Sequence, residues 1–81
     1  MNTMVVLRNI KKNGNMISAD YYPENEPEFG HIKIDFTSGE IVFLQKAPIY
    51  IYSAYARHAW YELMRLAKLE EPPKEKTVLW Y

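Results

Sequence analysis

The chain has 81 residues, with ten Lys plus Arg against ten Asp plus Glu, 48% apolar residues, 15% aromatics and no cysteine. A chain this short makes one domain with a thin core, burying roughly 60–65% of the surface its unfolded form exposes, yet it is apolar enough to offset chain entropy unaided, and no cofactor is expected. The missing cysteines exclude disulfides, thiolate nucleophiles and cysteine-ligated zinc, and the balanced charge lacks the basic excess that phosphate neutralisation asks of a nucleic-acid binder.

Residues 4–10 and 16–22 are β-prone runs on either side of Asn13 and Gly14, a pair suited to the positive-φ positions of a type I′ turn. A two-residue loop there sets Ile10 opposite Ile17, Arg8 opposite Ala19 and Val6 opposite Tyr21 on the expected core face. Leu7 then faces Asp20, and Val5 faces Tyr22, on the other side. Residues 23–30 hold two prolines and three glutamates, which suits a solvated loop better than a ladder.

Residues 31–36 and 41–46 flank Ser38 and Gly39 as a second hairpin. A two-residue loop pairs Phe36 with Ile41, Ile34 with Phe43 and Ile32 with Gln45, leaving Asp35, Val42, Lys33 and Leu44 on the reverse; a three-residue loop over 37–39 changes these pairs. From about residue 50 to 69 the period changes. Tyr52, Ala56, Ala59, Trp60, Leu63, Leu66 and Ala67 recur at helical steps as one apolar stripe, with Pro48 before it and Pro72 and Pro73 after it. Residues 77–81 are short, aromatic and β-prone, either an added edge strand or an apolar lid. The expected architecture is α+β: an antiparallel four-stranded meander sheet packed by one long helix, with a short fifth strand as an option, in the order ββββαβ. One domain spans residues 1–81.

Chemistry-bearing residues are sparse. His31 and His58 each lack a second ligand at i+2 or i+4, so no metal site is read from the sequence. Ser18, Ser38 and Ser53 sit in no nucleophile motif. Tyr55, His58 and Glu62 fall at i, i+3 and i+7, a polar row of the kind many surface helices carry, and no catalytic residue is assigned; an enzyme ranks third among the readings and requires a cavity holding His58 and Glu62.

The aromatic surplus points to partners. Tyr50 and Tyr61 lie near Arg57 on the helical wheel, the composition of contact surfaces. If the helix covers the face bearing Val6, Ile10, Ile17 and Phe43, then Val5, Leu7, Tyr22, Val42 and Leu44 stand uncovered as one apolar patch, the usual mark of an interface. The reading that follows is a small noncatalytic protein-interaction module with a protein partner, most simply a second copy. The alternative is a nucleic-acid-binding accessory protein using Lys11, Lys12, Lys33 and Lys46 on phosphates. Residues 1–4 carry no basic region leading into a long apolar run, so a cytoplasmic protein with no membrane association is expected.

Overall fold

The structure is a computed structural model, and it describes residues 3–48 and 53–80. In chain order it contains β1 (Thr3–Asn13), β2 (Met16–Pro23), β3 (Gly30–Asp35), β4 (Glu40–Gln45), α1 (Ser53–Leu66) and β5 (Lys76–Trp80). The strands form one five-stranded sheet in the order β4-β3-β2-β1-β5, antiparallel at every step. This is the ββββαβ arrangement expected from the sequence, with the final segment a true strand on the free side of β1. The helix carries the chain from one sheet edge to the other and packs on β1, β2, β3 and β5. Among the described residues no helix is long and apolar enough to cross a membrane.

The first hairpin turns one residue later than the sequence suggests. Asn13 pairs with Met16, so the loop is Gly14 and Asn15. Positive φ is confined to Gly14, at 61°, the pattern of a type II′ turn with glycine first. A bulge follows, because Arg8 pairs with Asp20 while Lys11 pairs with Ser18, which sets Asn9 and Ile10 together against Ala19. Asn9 takes φ 56°, a left-handed conformation that asparagine tolerates better than other side-chain-bearing residues. The extra residue switches which parity faces inward. Val5 and Leu7 before the bulge and Ile10 after it all point to the helix and are buried, whereas Val6 lies on the reverse face opposite Tyr22.

The second hairpin is corrected in the same way. Its loop spans residues 36–39, since Asp35 pairs with Glu40, and the register shifts so that Val42 stands unpaired between Ile41, opposite Ile34, and Phe43, opposite Lys33. The Asp35 carboxylate organises this turn, accepting from the Thr37 hydroxyl at 2.6 Å and the Thr37 amide at 2.9 Å. Those bonds, the hydroxyl foremost, hold its carboxyl below the ordinary aspartate range. Leu44 consequently faces the helix side opposite Ile32 and packs against the core.

The core lies between this inner face and the helix stripe Ala56, Ala59, Leu63, Leu66 and Ala67. The alanines let the helix sit close to the sheet. Trp60 and Met64 flank the stripe, and the Trp60 indole donates to the Gly39 carbonyl at 3.0 Å, tying the helix to the second turn. Beyond Leu66 the chain tightens through i→i−3 bonds from Lys68 to Arg65 and from Leu69 to Leu66, an ordinary way for a helix to end. The expected start of the helix at residues 50–52 falls outside the described residues.

Candidate functional site

The corrected register redistributes the residues predicted to make contacts. Val5 and Leu7 are completely buried and Leu44 packs on the core, so the five-residue apolar patch does not exist as expected. Tyr22 remains on the reverse face and Val42 remains exposed. Arg57 and Tyr61 are both exposed on the outer side of α1, one helical turn apart, and the Tyr61 ring lies 4.9 Å from that of Trp60. Tyr50 lies outside the described residues. The predicted set therefore divides between the helix exterior and the sheet, and makes no single site.

The four lysines of the nucleic-acid reading divide as well. Lys12 is on the helix side, where its ammonium donates to the Leu69 carbonyl at 2.9 Å and lies over the Phe36 ring. Lys11 and Lys33 flank Ser18 in one row of the reverse face. The adjoining row holds Asp35 and Glu40, so no basic track runs along the sheet. Lys46 is exposed just past β4.

The polar helix row is also taken apart by its neighbours. The Tyr55 hydroxyl donates to Glu24 at 2.9 Å, and Glu24 accepts the Met4 amide with the same oxygen, fastening the end of β1 to the helix. His58 stacks on Trp80 with ring centroids 3.9 Å apart. Burial, and second to it the charge of Arg57, hold the His58 imidazole below its usual value. Glu62 is paired with Arg65. The enzyme reading asks for a cavity holding His58 and Glu62; the groove described below contains neither.

Two features on the sheet remain, and they adjoin. The first is β4 itself. It is an edge strand in which Ile41, Val42 and Phe43 are exposed to 43%, 48% and 50%, a run of large apolar side chains beside unpaired backbone groups. The second is a groove of about 330 Å³ at the Gln45 end of β4, lined by Pro27, Glu28, Phe29, Gly30, His31, Gln45 and Pro48.

A hydrogen-bonded chain crosses the reverse face beneath this groove. The Asn9 side-chain amide donates to Asp20 Oδ2 at 2.8 Å, and Asp20 Oδ1 meets His31 Nδ1 at 2.8 Å. Beside it runs a stacked column, with the Arg8 guanidinium 4.5 Å over the Tyr22 ring and Tyr22 stacked 4.9 Å from Phe29. Arg8 is held in place by Asn25 Oδ1 at 2.9 Å and Glu75 at 3.3 Å. The sequence singled out none of Glu28, Phe29, Asp20 or Gln45. Asp20 and His31 become neighbours only through the β2–β3 register, which the loop between those strands does not announce.

Among the described residues no group of three or more His, Cys, Asp or Glu side chains gathers as a metal site would. No protein-family model, curated protein or solved structure matches the chain.

Proposed function

We propose that the chain is a noncatalytic protein-interaction module that takes an extended strand of another polypeptide along the open edge of β4. The observation that carries this reading is the exposure of Ile41, Val42 and Phe43 together on an edge strand. Natural sheets ordinarily blunt such an edge with charge, proline, a bulge or a covering element. Here Glu40 precedes the apolar run and Lys46 follows it, and the helix packs on the other four strands. Strand addition supplies main-chain hydrogen bonds for affinity and alternate side-chain positions for selectivity. The bulge at Val42 breaks the ladder into two short stretches, which suits a short partner segment. A second copy is also a strand donor to examine, since ten positive and ten negative side chains leave the chain no net charge.

Light scattering coupled to size exclusion reads self-association directly. Amide hydrogen exchange with a capped alternating Thr-Val hexapeptide reads strand addition. The expected result is slowed exchange at β4 in the presence of either donor, lost when Val42→Lys sets a charge in the apolar run. A strict monomer at high micromolar concentration, together with unchanged β4 exchange at saturating peptide, overturns the reading.

A further inference from the structure

We infer that the groove at the Gln45 end of β4 binds a guanidinium group, carried by an arginine in the extended segment that β4 receives. The source of the arginine rests on the strand-addition reading above; the chemistry of the groove does not.

The polar lining of the groove includes one carboxylate, that of Glu28. The Glu28 carboxylate offers only lone pairs, and among the described residues it has no hydrogen-bond or ion-pair partner. His31 directs Nδ1 to Asp20 Oδ1 at 2.8 Å. A carboxylate can only accept, so Nδ1 carries the hydrogen of this bond. Asn9, donating to the other Asp20 oxygen at 2.8 Å, fixes the carboxylate that fixes the ring. Gln45 adds an amide oxygen from the facing strand.

The aromatic component points the same way. Phe29 stacks on Tyr22, lines the groove and is still 45% exposed. At the other end of that column the Arg8 guanidinium already lies over Tyr22, at 4.5 Å. Phe29 offers a second guanidinium an equivalent surface. A planar cation with forked donors uses both parts at once, pairing its edge with Glu28 and its face with Phe29, whereas an ammonium uses only the charge. A second copy pairing antiparallel through β4 would bring its Glu40 to this end, carboxylate beside Glu28. The groove therefore favours a segment of a different protein.

The test titrates the full chain, by NMR, with three probes. They are a capped Thr-Val hexapeptide extended by arginine at each end, the same peptide with uncharged citrulline in place of arginine, and N-acetylarginine amide. The arginine peptide is expected to bind about tenfold tighter than the citrulline peptide, the scale of one charge-assisted hydrogen bond. Glu28→Gln, and independently Phe29→Leu, are expected to narrow that gap. Equal affinity of the two peptides for the unsubstituted chain overturns the groove assignment and leaves strand addition standing. If N-acetylarginine amide shifts the Phe29, His31 and Gln45 signals while neither peptide perturbs β4, the guanidinium site stands and its delivery on a paired strand is overturned. Silence with all three probes overturns both.

Discussion

At Gly30 the need for glycine comes from close approach and not from backbone conformation. A Cβ built there would run into the Gln45 carbonyl and the Tyr21 ring together, and neither can retreat, because Tyr21 is buried and its hydroxyl accepts the buried Ala47 amide at 3.2 Å. Gly30→Ala is expected to cost about 3 kcal/mol, at the upper end for overpacking, read by urea denaturation. Tyr21→Phe keeps the ring and orphans the Ala47 amide, for about 1–3 kcal/mol. His58 supplies a third prediction. Burial first, and Arg57 second, lower its folded-state value, so over a window beginning near the usual histidine value and extending below it the unfolded chain binds a proton that the folded chain refuses. The stability it contributes is present above the unfolded value and is lost as pH falls through the folded one. Arg57→Gln is expected to move the His58 titration upward without restoring the usual value, because the larger cause remains; an NMR titration that shows no movement removes Arg57 from the account.

One residue, Asn9, decides which side of β1 meets the helix. Both hairpins and the helix are legible in the sequence because their signals are local: glycine at the turns, β-branched runs beside them, and a helical stripe ended by two prolines. Register is different in kind. A slip of one residue reverses every side chain, and here the inserted Asn9 supplies that slip. Moving the two-residue loop by one position shifts the pairs by two and leaves each side chain on its face, so it is the extra residue at Asn9 that turns Val5 and Leu7 inward, where both are buried. Val42 plays the same part in β4 and turns Leu44 inward. The groove is still less legible, since it depends on residues 27–29 closing over a pairing that those residues do not specify. The conformation of Asn9 gives a direct check. Asn9→Val places a β-branched residue at φ 56° and is expected to cost about 1–2 kcal/mol. Asn9→Gly relieves that strain while losing the exposed bond to Asp20, and is expected to stay within about 0.5 kcal/mol of the original chain. Equal losses from the two would mean that the bulge is held by the side-chain bond and not by the backbone.

The two edges of the sheet are built for opposite ends. On β5, Val78 and Trp80 face inward and pack against the core; Trp80 also meets Tyr55 edge-on at 5.6 Å and His58 face to face. On β4, by contrast, Ile41, Val42 and Phe43 all stay about half exposed, Ile41 on the helix side opposite Ile34 and Phe43 on the reverse face opposite Lys33. Removing residues 77–81 should therefore destabilise even a dilute monomer. Two half-buried side chains and the exposure of the β1 edge together amount to about 2–4 kcal/mol, a large fraction of the margin a domain of this size holds. Val42→Lys on the opposite edge should leave monomer stability within about 0.5 kcal/mol, as surface substitutions usually do, while abolishing strand addition through charge and desolvation. Thermal unfolding of both variants at low micromolar concentration separates the two roles. A truncated chain that melts with the full one would mean that β5 only decorates β1, and the contrast between a closing edge and a receiving edge would then lose its basis.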